Sequence, residues 1–239
     1  MRAWLAAACA ASSPVAIVAP GPPRMARKPP LLVASAAMAR GTFIALEGLD
    51  GSGTSTQATV LREALTARGH TVFATHQPST GSIGMRARTL LGGKDGPVDP
   101  NLLALLFAAD RLDHVAHEIE PALARGEIVI CDRYVMSSWV YQSLDCDADW
   151  VEAINTHAPW PDATFLLRVS AEEGTRRVHA RTPESEREIF ETEAIQRRVE
   201  ASYEAALARG LPGVLAIDGS QPIEAVSRAL LAACDQLGL

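Results

Sequence analysis

Lysine is almost missing from this chain. Among 239 residues only Lys28 and Lys94 carry it, so nearly every fixed cation is an arginine. Acidic groups outnumber basic ones, and unevenly. Residues 1–40 hold five basic side chains and no acidic one, which leaves the remainder at a formal charge of −11. A body that acidic does not present the concentrated basic face needed to follow a nucleic-acid backbone. Small phosphorylated ligands held by a few local arginines are not excluded. Cysteine is scarce as well: Cys9, Cys131, Cys146 and Cys234 form no CxxC pair and have no histidines at metal-ligand spacing. This argues against a structural zinc site and for reduced, mostly buried thiols in a reducing compartment, the cytoplasm. No apolar run approaches the ~20 residues that a membrane-spanning helix requires.

With 48% hydrophobic and 21% charged residues, the chain has the composition of one α/β domain of ordinary size plus some excess length. The excess is at the front. Residues 1–40 are rich in Ala and Pro and show no amphipathic period. Arg2 with an apolar stretch fits a secretory signal, and a basic, acid-free composition fits an organelle presequence. Pro14 and Pro20 interrupt the apolar stretch, however, and an unstructured extension ahead of Met38 is the expectation, with the domain spanning 41–239.

From Thr42 onward short apolar runs alternate with longer helical patterns. The runs at 42–47, 71–75, 127–132, 163–169 and 213–218 are apolar on both faces, as expected of buried parallel strands. Helical periodicity is expected at 55–69, 83–91, 134–144, 171–180, 188–209 and 222–237, and in a long segment from about Pro100 to Arg125. The alternation predicts an α/β fold of three layers, a five-stranded parallel sheet with helices on both faces. Ligands of such sheets bind beyond the carboxyl ends of the strands. No internal repeat is present.

The stretch "GLDGSGTST" (48–56) lies between the first strand and the first helix. Gly48, Gly53 and Ser55 match a phosphate-binding loop, but Thr54 stands where that loop has lysine. Either the loop binds a nucleotide and neutralises its charge by other means, or it is a glycine-rich turn. Its placement favours the first, because loop amides and the positive end of the helix would face an anion.

Four stretches in this order, "FIALEGLDGSG" (43–53), "LFAADRLDH" (106–114), "DRYVMSSWVYQ" (132–142) and "PDATFLLRVS" (161–170), together resemble the thymidylate kinase family over essentially all of 41–239. The resemblance implies ATP-dependent phosphorylation of dTMP with Mg²⁺, in a homodimer. It assigns Gly48, Gly51, Ser52, Gly53, Thr54, Ser55 and Thr56 to ATP, and Ser55 with Asp132 to the metal. Asp50, Pro78, Phe107, Arg111, Arg133, Ser137, Ser138, Tyr141 and Gln142 would face dTMP, with Phe107 stacking on the base and Tyr141 crowding out a 2′-hydroxyl. Asp50, Arg133, Arg177 and Arg181 would be catalytic, the last two belonging to a lid over about 177–190 that has Arg187 at its tip. "IDGSQP" (217–222) matches the region that packs on adenine.

Three departures accompany the match. Thr54 replaces the loop lysine, His76 and Gln77 stand where an arginine before Pro78 is usual, and Arg168 takes a place that is more often acidic. A lid arginine, Arg177 or Arg181, is expected to supply the charge that Thr54 cannot. Two other readings remain at this point. One is a different deoxynucleotide or nucleoside kinase; the other is a nucleotide-binding relative without catalysis.

Overall fold

A computed structural model of the protein describes residues 40–93, 96–183 and 188–239. The expected extension up to Ala39, together with Lys94 and Arg187, lies outside the described residues. Arg40 is tied to the domain surface by Asp162 at 3.1 Å and Glu120 at 3.8 Å.

Five strands, β1 (Phe43–Gly48), β2 (Val72–His76), β3 (Ile128–Asp132), β4 (Ala163–Arg168) and β5 (Val214–Asp218), form one parallel sheet in the order β2-β3-β1-β4-β5. Each begins within one residue of its expected start, because buried parallel strands show as short apolar blocks. The side-chain alternation of β1 sends Ile44 and Leu46 to one face and Phe43, Ala45 and Glu47 to the other. On the first face Ile44 and Leu46 meet Leu61 and Leu65 of α1 (Thr54–Ala67) and Leu230 of α9 (Ile223–Gln236). Burying a leucine as completely as Leu65 contributes roughly 1.5–3 kcal/mol.

The opposite face is covered by α3 (Pro100–His114), α4 (Glu120–Ala124), α5 (Val135–Tyr141) and α8 (Glu193–Ala208). Here Phe43 and Val129 pack on Ile119 and Leu123, and Leu166 packs on Val199 and Tyr203. The remaining helices are α2 (Ser82–Leu91), α6 (Ala148–Ile154) and α7 (Ala171–Arg181).

Three features depart from expectation. The edge strands are not buried on both faces: β2 is half-buried throughout, and β5 leaves Leu215 and Ala216 exposed. Each has a single neighbour in the sheet, so helices cover it only in part. The segment expected as one helix from Pro100 to Arg125 contains a π turn at Val115–Ile119 before α4. That irregular turn precedes Pro121, which has no N–H to give to the preceding helical turn. Helix α6 was not expected at all. It has seven residues, too few to show a period, and is started by Asp147, whose carboxylate accepts from Trp150 N at 2.8 Å.

Candidate active site

The loop after β1 turns on Gly51 and Gly53, with φ of 83° and 97°. This left-handed region suits glycine, and a Cβ on Gly51 would also run into the Gly174 carbonyl. Gly53 caps α1 without any side-chain bond, so the amides of the first turn are left for a ligand. Thr54 is buried in that first turn, whereas Ser55 and Thr56 are exposed.

The Ser55 hydroxyl donates to Asp132 Oδ2, while Asp132 Oδ1 is buried with no hydrogen-bond partner. A hydroxyl beside a carboxylate with one unsatisfied oxygen fits Mg²⁺, which takes few protein ligands and keeps water or phosphate oxygens for the rest. Among the described residues no cluster of three or more His, Cys, Asp or Glu could form an all-protein metal cage.

Arg133 follows β3 with φ of 65°, a left-handed conformation that costs a non-glycine residue of the order of 1 kcal/mol. The turn lets Arg133 N donate to Leu46 O at 2.8 Å and brings the guanidinium back across the phosphate loop. There Nη1 donates to Gly48 O at 2.7 Å and Nη2 to Asp50 Oδ1 at 2.6 Å, with the Tyr141 ring 5.2 Å away. Arg111 is wholly enclosed. Nε donates to Gln77 Oε1 at 2.9 Å, Nη1 to Asn155 Oδ1, and Nη2 to Tyr134 O and Ser138 Oγ at 3.1 and 2.9 Å. Burial holds His114 below its ordinary value, so its neutral ring accepts from Gln77 Nε2 and turns Gln77 Oε1 toward Arg111.

Asp50, Ser55, Pro78, Phe107, Arg111, Asp132, Arg133, Ser137, Ser138, Tyr141 and Gln142 all line one cavity of about 460 Å³ at the carboxyl ends of the strands. Not every expected residue lines it. Arg177 lies outside, its Nη1 3.4 Å from Gly51 O and 3.2 Å from Gly219 O, and Arg181 is exposed at the end of α7. Arg168 is remote from the cavity and pairs with Glu204 at 2.8 Å.

Sequence reading overlooked several contributors. Arg88 of α2 lines the cavity and donates to Pro78 O at 2.9 Å, beside His76, where the arginine before Pro78 is missing. Glu188 and Phe190 close another side. Glu47, fully buried, accepts from Tyr134 N at 2.9 Å, Ser137 N at 3.1 Å, Ser137 Oγ at 2.5 Å and Tyr203 Oη at 3.0 Å. Burial pushes its carboxyl up, against the pull of the Ser137 hydroxyl and the Arg133 charge. The available signal was a lone acid inside an apolar strand, which needs buried donors to exist there.

A phosphate loop at a strand–helix junction, a hydroxyl–carboxylate pair beside it and an arginine-lined cavity define a phosphate-loop nucleotide kinase. The comparisons narrow that class. The family model described as thymidylate kinase matches residues 46–230. A probable thymidylate kinase of Thermococcus kodakarensis is 39% identical over 204 residues, covering 82% of this chain and 98% of that protein. A thymidylate kinase of Alkalilimnicola ehrlichii is 38% identical over 204 residues (81% and 92%), and a probable one of Methanococcus aeolicus 43% over 162 residues (67% and 76%). The chain belongs to the thymidylate kinase family of nucleoside-monophosphate kinases.

Glu47→Gln would set an NH₂ group among donors. It is expected to lower stability by about 1–3 kcal/mol, read as a fall in thermal midpoint of ~2–4 °C for each kcal/mol. An unchanged midpoint would show that the carboxylate does not anchor α5.

Proposed function

We propose that the protein transfers the γ-phosphoryl group of ATP to dTMP. One observation carries this reading: the residues that would grip base, sugar, phosphate and metal, drawn from five separate stretches, line a single cavity beside the phosphate loop. Arg133 offers a planar fork to the acceptor phosphate, and Arg88, beside His76, extends that cationic wall. Phe107 presents a ring to thymine. Arg111, with four of its N–H groups already bonded inside the protein, keeps one for the base. Tyr141 fills the space a 2′-hydroxyl would need. Ser55 and Asp132 would hold Mg²⁺, which neutralises charge on the transferring phosphates. In-line transfer then asks the chain chiefly to position two nucleotides and exclude water. The buried Cys131 and Cys234 are free thiols, which supports a cytoplasmic setting; no described helix is long and apolar enough to cross a membrane.

In a coupled ADP-release assay dTMP is expected to be the best acceptor among dTMP, dUMP, dCMP, dGMP and UMP. Tyr141→Ala should relax discrimination against UMP by ~1–2 kcal/mol. Equal turnover of dTMP and UMP by the wild type would refute the assignment.

The charge absent at Thr54 is assigned to the start of the lid. Arg177 already lies against Gly51 of the phosphate loop, whereas Arg181 points to solvent at the helix end. Losing one charged contact at a transition state costs ~3–4 kcal/mol. Arg177→Ala is therefore expected to slow single-turnover transfer by about 10²–10³-fold, and Thr54→Lys to restore part of the loss. Transfer within about threefold of wild type sinks the idea.

The homodimer rests on α3. Leu102, Leu105, Ala109 and Leu112 of α3, continued by Ala116 in the π turn, are exposed at alternating spacings of three and four, an apolar seam suited to the same helix of a second copy. Leu105→Glu should convert a dimer to a monomer in sedimentation without altering the circular dichroism spectrum. A wild type that sediments as a monomer at micromolar concentration removes the dimer.

A further inference from the structure

The side chain of Gln196, on the first turn of α8, is completely buried, yet it bonds to the phosphate loop. Its Oε1 accepts from the Asp50 backbone N–H at 3.1 Å. Its Nε2 donates to Asp50 Oδ2 at 2.7 Å and to Phe190 O at 2.9 Å. One amide thus holds both the backbone and the carboxylate of the same residue. That requires a donor and an acceptor side by side, which neither a carboxylate nor an apolar group of equal size provides. The other oxygen, Asp50 Oδ1, is held by Arg133 at 2.6 Å. Gripped from two sides, the carboxylate cannot turn without breaking a charge-assisted bond. The third bond, to Phe190 O, joins this grip to the segment between α7 and α8. The Phe190 ring in turn packs edge-on against Tyr141, with centroids 5.4 Å apart.

Packing alone gives no reason for glutamine here. Val199 and Tyr203, three and seven residues further along α8, lie on the same face and belong to an apolar cluster. A hydrophobic residue at 196 would continue that face, but it would strip Asp50 of the partner to its N–H and to one oxygen.

We propose that Gln196 is a positioning residue, which fixes the Asp50 carboxylate toward the acceptor and ties its orientation to the chain leading out of the lid. The proposal rests on the thymidylate kinase reading, in which Asp50 faces the acceptor sugar.

Gln196→Met keeps the volume and removes both bonding groups. A carboxylate displaced by about 1 Å at a reacting centre is expected to lower kcat for dTMP by ~10–100-fold. Affinity for a fluorescent ATP analogue should stay within about twofold of wild type, because Gln196 touches the loop only through Asp50. Gln196→Glu accepts from the Asp50 N–H but sets a second carboxylate against Oδ2. It should show a comparable loss of kcat, and it serves as the test should the methionine variant fold poorly. In an Asp50→Asn background, Gln196→Met should add less than about twofold, since residues that act through one another do not multiply their effects.

A wild type active on dTMP whose folded Gln196 variants keep kcat within twofold overturns the positioning role and leaves the function standing. Losses that multiply independently in the double variant do the same. A wild type inactive on dTMP overturns the function and this role with it.

Discussion

Arg133 is the contact on which the site depends. Three carboxylates, Glu47, Asp50 and Asp132, come from the ends of β1 and β3 and from the loop between β1 and α1. In a site sheltered from water, crowding of like charges is costly unless a cation lies among them. Arg133 reaches that place only because its backbone adopts a φ of 65°, turning the chain back across the phosphate loop. From there it binds the Gly48 carbonyl and Asp50, and its charge also acts on Glu47. In the proposed function the same fork grips the acceptor phosphate. The structure keeps that guanidinium paired with an internal carboxylate, preformed in position and not dangling in solvent.

Scarcity of lysine shapes how charge is distributed. A loop lysine would place a mobile point charge between the outer phosphates. Among the described residues the cations that line the cavity are guanidiniums, planar groups that can be fixed by several bonds at once. Arg111 is held by Gln77, Asn155, Tyr134 and Ser138; Arg88 by Pro78; Arg177 by Glu173 and two backbone carbonyls. Phe190, between α7 and α8, is joined to the phosphate loop through Gln196.

What the sequence made legible was what is local. Five strands and the phosphate loop stand out as blocks of apolar residues and a glycine pattern, and the strands fall within one residue of where those blocks begin. Residues carried by family motifs, such as Phe107, Arg111 and Tyr141, line one cavity. Groups that act through distant partners were invisible. Glu47 is satisfied by Tyr203, 156 positions away, and Gln196 by Asp50, 146 positions away. No periodicity or short motif encodes such pairs. Arg88 escaped notice for a related reason: the vacancy before Pro78 was visible in the chain, but the helix that fills it folds back from ten residues downstream. The exposed face of β5 was misread because an apolar block does not tell an edge strand from a central one.

Helix α3 shows how these constraints meet. Its inner face presents Phe107 and Arg111 to the cavity, while its outer face carries the apolar seam of Leu102, Leu105 and Leu112. At its carboxyl end His114 sets the orientation of Gln77, which bonds Arg111. Arg111 cannot shift without disturbing Gln77, Asn155 and Ser138 together, since each of these bonds is buried and leaving one unmade costs about 1–3 kcal/mol. The buried bonds of Arg111 thus hold the inner face of α3, and with it the side of the cavity that Phe107 lines, in one register.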